Sequence, residues 1–473
     1  MLLKHGVLYL LTRFGAGILN FATILLYTRL LTPEQYGRYA LLIAGVGLIS
    51  GITTGWLGEG VLRFAHSQSP LPILFHTIRR LQVQILLITT GLAVLSLPFL
   101  PSVEWRILIA TGIGILWLQS THDLQLCLFR AHLQPDRFLK ANFVRAIVAP
   151  IVGWCGISFG LGSLGAAIGY LGGLFASIIF VGNRQLRSAG TPSTSMACEL
   201  WRYGAPLSLS YLSLHILHSS DRFLIALFLG EDAAGAYAAV YDLTAQTMAL
   251  FLLSAANASA PLIFKAASED NKERLYHLLR ENLALLLTIG ILGVVMWWKV
   301  APVLVVRIIG SDYQDNLTLI ALFVATATLV VDLRTHHFTI PLKINKVTPS
   351  LIVDTAFAAL TNILLNLWFI PQFGIVGAAL ATLVSYIVLL TVGVILARRM
   401  AFIVVSWKDL ACVLLCGGGV ALFLSVLPSA TEWQVLFNGL LGGIIYVAGI
   451  LACNVAEWRY RLWRCVNRRS RAR

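Results

Sequence analysis

Stretches of about twenty apolar residues recur along almost the whole chain, separated only by short polar or glycine-rich breaks. That length is what a hydrocarbon core of roughly 30 Å demands of a helix, whose backbone then satisfies its own hydrogen bonds. Fourteen such segments are read near residues 6–31, 36–64, 81–100, 105–130, 138–160, 162–182, 200–229, 233–264, 279–303, 316–338, 349–370, 374–397, 409–427 and 433–455. With 58% hydrophobic and 12% charged residues and a mean hydropathy of +0.82, the chain lies outside the range of soluble domains. The expected fold is an all-α integral membrane protein with about fourteen transmembrane helices.

Two echoes divide those helices into related halves. LTPEQYGRYA (Leu31 to Ala40) returns 198 positions later as LGEDAAGAYA (Leu229 to Ala238), with Leu31/Leu229, Glu34/Asp232, Gly37/Gly235, Tyr39/Tyr237 and Ala40/Ala238 in register. GSLGAAI (Gly162 to Ile168) returns 212 positions later as GIVGAAL (Gly374 to Leu380). The first segment thus equates with the seventh, and the fifth and sixth with the eleventh and twelfth. An even number of crossings separates the equivalents, so they point the same way across the membrane, as in transporters built from two parallel repeats. The expected division is a six-helix half at 1–190, a second at 199–400, two further helices at 408–456 and a basic tail at 457–473.

Lysine and arginine placement orients the chain. With the N-terminus inside, the cytoplasmic segments collect 27 of the 35 basic residues; the external ones hold Arg29, Arg38, Arg106, Lys299 and Arg307. By the positive-inside rule the chain is a multi-pass protein of the inner (plasma) membrane with both termini cytoplasmic. The net charge of +14 is therefore topological and argues for no nucleic-acid partner. In the tail, Trp458, Leu462 and Val466 share one helical face among arginines, which suits an interfacial helix against anionic membrane lipids. The first apolar segment is too long for a signal peptide, contains Arg13, and has no obvious small-residue cleavage site. Seven scattered cysteines read as small apolar packing residues; Cys412 and Cys416 share a face without implying a metal.

Function must lie in polar groups that the membrane makes costly, since a charge at its centre costs at least about 2.5 kcal/mol. The seventh segment carries His215, His218 and Arg222 on one stripe, with Asp221 beside it. Arg13 shares a face with Gly17 and Asn20. Glu59 and Arg63 stand at the spacing of a helical ion pair. Gln119, His122, Asp123, Cys127 and Arg130 run along one side of the fourth segment, and Arg145, Asp242, Asp332, Arg334, Asn362 and Asn366 add to the set. Each residue admits a packing role, but together they imply a wide hydrated interior. Arginines that keep their charge and grip phosphate oxygens in pairs point to an anionic, phosphate-bearing ligand.

Enzymatic readings have less support. His336 and His337 are adjacent and diverge on a helix, and no HExxH, CxxC, P-loop or GxSxG occurs in a usable context. No catalytic residue, cofactor or metal is expected. A membrane glycan or acyl transferase stays as an alternative, although such an enzyme would need a larger external loop than the one around 304–315.

The segments RLLTPEQYGRYALLIA, LGEDAAGAYAAVYDL and FGIVGAALATLVSY, with twelve-plus-two spans, resemble the polysaccharide flippases. These are the Wzx-type O-antigen and exopolysaccharide translocases of the multidrug/oligosaccharidyl-lipid/polysaccharide exporter superfamily. The resemblance implies two six-helix lobes around a cationic cavity. It also implies movement of an undecaprenyl-diphosphate-linked oligosaccharide from the cytoplasmic to the periplasmic leaflet by alternating access, in surface polysaccharide biosynthesis. By that likeness, Arg13, Arg145 and Arg222 contact the diphosphate, with Arg63 and Arg334 near the inner mouth. His215, His218 and Asn366 would meet sugar hydroxyls, and Asp123, Asp221, Asp242 and Asp332 would orient arginines or carry coupling ions. A polysaccharide polymerase and a chain-length regulator would be its partners. A multidrug exporter or a lipid II flippase of the same superfamily is the alternative reading.

Overall fold

The computed structural model describes residues 2–65, 71–132, 134–182, 191–269, 271–304, 317–345, 350–400, 404–428 and 431–460. Among them every regular element is helical. The helices are α1 (Leu2–Leu30), α2 (Pro33–Thr53), α3 (Gly55–Phe64), α4 (Leu71–Ser96), α5 (Val103–Ala131), α6 (Pro135–Ser158), α7 (Gly162–Val181), α8 (Thr194–Leu229), α9 (Glu231–Ser268), α10 (Lys272–Leu304) and α11 (Leu317–Leu333). A π-helical turn at Arg334–Phe338 leads to α12 (Ile340–Ile344), followed by α13 (Ser350–Met400), α14 (Trp407–Val426) and α15 (Glu432–Ala452).

The boundaries follow from capping chemistry. Thr32 opens α2 with a capping box, its hydroxyl accepting from Gln35 N while the Gln35 side chain accepts from Thr32 N, and Pro33 sits in the first turn. Thr431 and Gln434 repeat the device at α15, and Ser102, Ser193 and Ser406 cap α5, α8 and α14. The glycines that open the echoed turns share a left-handed backbone: Gly162 has φ 51° and Gly374 has φ 61°. Only glycine enters that region without steric cost. Gly374 breaks the 51-residue α13 inside, so the predicted segments 349–370 and 374–397 lie on either side of its kink. The predicted segment 36–64 is likewise broken, at Thr54, into α2 and α3.

Eleven of the described helices are long and apolar enough to cross a membrane. The chain is a multi-pass membrane protein. By density of internal contact it divides into two units, Met1–Ala239 and Val240–Arg473. Contact groups α8 with the first unit because α8 packs on α2, α3 and α4; the six-helix halves are a division by sequence echo. In the second unit α10 is central, touching α11, α14 and α15, while α13 lies against α11. The predicted interfacial tail lies outside the described residues beyond Tyr460.

Candidate functional site

The first unit places Arg145 through glycine packing. Gly165, Gly169 and Gly173 recur every four residues along α7 and face α6. A Cβ on Gly169 would stand 2.6 Å from the Ala149 carbonyl oxygen, and one on Gly173 would stand 2.8 Å from that of Arg145. The two backbones therefore touch, as small residues at four-residue spacing permit in membranes. Tyr170, beside Gly169, is carried onto Arg145: Arg145 Nη1 donates to the Tyr170 hydroxyl oxygen at 3.2 Å, with the guanidinium 5.8 Å from the ring centroid. Tyr170 in turn donates to Gln119 Oε1 on α5 at 3.4 Å. Arg145 Nε is buried with no hydrogen-bond partner among the described residues. A fixed cation with an unspent donor, inside a membrane helix, is suited to an anionic oxygen.

The other sequence candidates divide by environment. Arg63 is exposed on α3 and stacks over the Tyr203 ring at 4.6 Å and over Phe64 at 5.7 Å. Among the described ion pairs none joins Glu59 to Arg63, whose guanidinium lies over the Tyr203 ring instead. His215 packs on α2, where a Cβ on Gly51 would meet its ring at 2.6 Å, and its Nδ1 lies 2.9 Å from Tyr211 O. Asp221, 1% exposed, accepts from the Tyr237 hydroxyl at 2.5 Å and from Arg222 N at 2.9 Å. His218 and Arg222 are half-buried on the same helix. Asp123 is half-exposed on α5, its carboxylate 3.7 Å from His122 Nδ1. Arg13 lies on the part of α1 whose side chains fall outside the described set.

In the second unit the candidates are engaged with one another. Arg334 Nη2 donates to Asp354 at 2.6 and 2.7 Å and Nε donates at 3.1 Å, a buried fork that leaves little of the guanidinium for a ligand. Asn366, fully enclosed, donates to Asn362 Oδ1 at 3.0 Å, so the expected contact with sugar hydroxyls finds no exposed surface in this conformation. Asp332, in the last turn of α11, faces His336 Nε2 of the π-helical turn at 3.5 Å. His337 diverges from His336 as expected and reaches Val404 O at 3.1 Å. Asp242 is half-buried on α9.

Residues 2–267, more than half of the chain, match the family described as polysaccharide biosynthesis protein. The chain belongs to that family. A curated relative, the probable low-salt glycan biosynthesis flippase Agl15 of Haloferax volcanii, is 23% identical over 387 residues, covering 80% of each chain. Among solved structures, the lipid II flippase MurJ in an inward closed conformation aligns with a TM-score of 0.75 at 14% identity, over 93% of this chain and 98% of that one. An inward-facing multidrug resistance MATE transporter of the MOP superfamily aligns at 0.60 and 15% identity, over 82% and 97%. These likenesses establish the fold, and the relatives matched are flippases and transporters, not enzymes.

The family member also has a constellation that sequence reasoning missed. The echoed blocks meet inside the first unit, where a Cβ on Gly37 would fall on the Glu231 carbonyl oxygen and one on Gly235 on that of Pro33. Beside this contact Arg38 pairs with Glu34, Glu104 and Glu231, and Trp105 Nε1 donates to Glu231 Oε1 at 2.6 Å. The signal was present as the Gly37/Gly235 identity. The partners Glu104 and Trp105 stand about 65 residues away and leave no local trace.

Proposed function

We propose that the protein carries an undecaprenyl-diphosphate-linked oligosaccharide from the cytoplasmic to the outer leaflet of the plasma membrane. The observation that carries this reading is Arg145, held by the α6–α7 glycine stripe with Tyr170 and Gln119 beside it and with Nε unspent. Family membership and a relative named as a glycan flippase support it.

In this mechanism the polyprenyl tail stays in the bilayer while diphosphate and sugars enter a hydrated interior. Arginines there replace water around the phosphate oxygens, Arg145 as a directional donor. Arg63 on its aromatic support, His215 and His218 are the further contacts proposed. Access then alternates between two repeat-related halves, and the Gly37–Gly235 contact with the Arg38 cluster holds the outer ends of α2 and α9 together while the site faces the cytoplasm. A membrane potential that is negative inside favours outward movement of the anionic load, by about 2.3 kcal/mol per charge per 100 mV.

The test is reconstitution of the full chain in liposomes with a defined polyprenyl-diphosphate glycan. A membrane-impermeant glycan-modifying enzyme then reads which leaflet holds the sugar. Protein-dependent equilibration, lost in Arg145→Ala, is expected. Absence of equilibration with natural lipid-linked glycan from the host, while cationic dyes are expelled, would overturn the reading in favour of drug export.

A further inference from the structure

Along the middle of α2 the first unit carries an apolar trough of about 370 Å³, walled by α2, α4 and α8 and floored by α5. Small residues make the room. Gly112 lets α5 close on α2, since a Cβ there would stand 2.8 Å from Leu42 Cδ1. A Cβ on Gly45 would find its nearest neighbour, Phe223, only at 3.9 Å, and Ala93 and Ala226 line the α4 and α8 walls. The rim is apolar and exposed at Ile49 and Phe223, and beside Leu92 of α4. From Leu41 to Ile49 the trough runs roughly 12 Å, most of the ~15 Å hydrocarbon depth of one leaflet. An apolar cavity of about 150 Å³ already stays dry and admits a small hydrocarbon. This one has the size and lining for a length of lipid chain.

At one end the lining turns polar, at the membrane face that lysine and arginine placement predicts to be external. Trp105 and Glu231 belong to the wall there, and Trp105 Nε1 donates to Glu231 Oε1 at 2.6 Å. Arg38, just before Leu41 on α2, donates to Glu231 through Nε, to Glu104 through Nη1 and to Glu34 through Nη2. Three carboxylates thus meet one guanidinium, and two negative charges are left unbalanced. Glu231 is spent, with one oxygen on Arg38 and the other on Trp105. The surplus sits on Glu34 and Glu104, which are 55% and 65% exposed and give Arg38 one oxygen each.

The two ends together narrow the occupant. A chain alone gains little by leaving bilayer hydrocarbon for an apolar trough, so selectivity must come from the headgroup. Surplus carboxylates repel a lipid with net negative charge. Choline brings a cation with no N–H to donate, whereas a primary ammonium offers three donors to carboxylate oxygens. We propose that the trough holds one acyl chain of an amine-headed phospholipid, phosphatidylethanolamine, whose ammonium lies against Glu34 and Glu104. The bound chain fills the space beside Gly45 and joins α8 to α2, α4 and α5. Because the carboxylates are exposed, the preference over other headgroups is several-fold and falls with salt. The inference goes beyond the transport reading and stands independently of it.

The experiment is native mass spectrometry of the purified full chain in detergent, titrated with phosphatidylethanolamine, phosphatidylcholine and phosphatidylglycerol of identical acyl chains. One phosphatidylethanolamine per chain is expected, retained at least fivefold better than the other two. Glu34→Gln/Glu104→Gln should bring the three lipids to parity, and Gly45→Leu, which fills the trough, should remove the bound lipid whatever its headgroup. Asp136→Asn, an exposed carboxylate at the start of α6, should keep the preference. If the double glutamine variant does not fold, N-acetylated phosphatidylethanolamine on the wild-type chain makes the same test, since it loses the ammonium and keeps the chains; it should bind no better than phosphatidylcholine. Equal retention of the three headgroups overturns the proposal, as does a preference unchanged in both variants. Displacement of the bound lipid, one for one, by a polyprenyl phosphate also overturns it and gives the trough to a polyprenyl chain. Because the readout is binding, failure of the flippase reading in liposomes leaves this result intact, and the reverse also holds.

Discussion

The ammonium of Lys299, near the end of α10, donates to the carbonyl oxygen of Leu424 at 2.7 Å, and to that of Leu427 at 3.0 Å. These carbonyls belong to the last turn of α14, where no intrahelical donor remains and where a cation complements the helix dipole. At the other end of α14, Arg280 of α10 donates to Asp409 at 2.7 and 3.3 Å. Asp409 also accepts from Ala456 N at 3.3 Å, which ties in the chain after α15. The two helices outside the sequence repeat are therefore moored to α10 at both ends of α14.

Removing one mooring should loosen α14 without unfolding the rest. Lys299→Met leaves two carbonyls in low dielectric without their donor, a cost of about 1–3 kcal/mol. Hydrogen exchange by mass spectrometry should show faster exchange confined to α14 and α15 in Lys299→Met and in Arg280→Met, and faster still in the double variant. Unchanged protection in all three would mean that apolar packing alone holds the pair.

The Arg334–Asp354 fork makes a sharper stability prediction. Breaking a buried ion pair by removing one partner costs about 3–5 kcal/mol, whereas replacing both is far milder. Arg334→Met and Asp354→Leu alone should lower Tm strongly, and Arg334→Met/Asp354→Leu together should recover most of the loss. A double variant as unstable as the sum of the singles would show that the pair is not coupled.

Much of this architecture was readable before any coordinate. Apolar length gave the helices, and the GSLGAAI/GIVGAAL echo marked the two turns at which Gly162 and Gly374 take positive φ. Side-chain partners were not. Glu59 and Arg63 had the right local spacing for a pair and yet separated, because Tyr203, some 140 positions away, offers the guanidinium a ring. Arg334 pairs with Asp354 on another helix, a partner that its own helical spacing does not reveal. Local periodicity fixes which face a residue occupies, whereas its partner depends on which helix packs there, and that is tertiary information.

The contact between the echoed blocks should be intolerant of any side chain. A Cβ at Gly37 or Gly235 would overlap a backbone carbonyl, which cannot rotate away, so the two helices must part. Gly37→Ala or Gly235→Ala should cost about 1–3 kcal/mol as overpacking. In a cysteine-free background, Ala238→Cys is buried in the native contact, and a maleimide should label it several-fold faster once Gly37→Ala is added. Arg38→Ala, which removes the pairing but not the close approach, should give a smaller rise. Equal labelling with and without Gly37→Ala would show that the contact yields at no cost.

Arg145 is the residue on which transport should depend most. Its guanidinium is held from one side by Tyr170, which leaves the direction of Nε fixed, and a lysine in that place would present a point charge with no fork. Arg145→Ala should therefore lower the flipping rate in liposomes at least tenfold with Tm nearly unchanged. Arg145→Lys should restore part of it. Tyr170→Phe keeps the charge and loses only the positioning hydrogen bond, worth about 1 kcal/mol, so its expected effect is a fivefold loss or less. That order separates a positioned donor from two other cases: a charge acting at a distance, for which Arg145→Lys would be silent, and a packing role, for which Tm would fall with activity. Equal rates in wild type and Arg145→Ala would remove this arginine from the transport path.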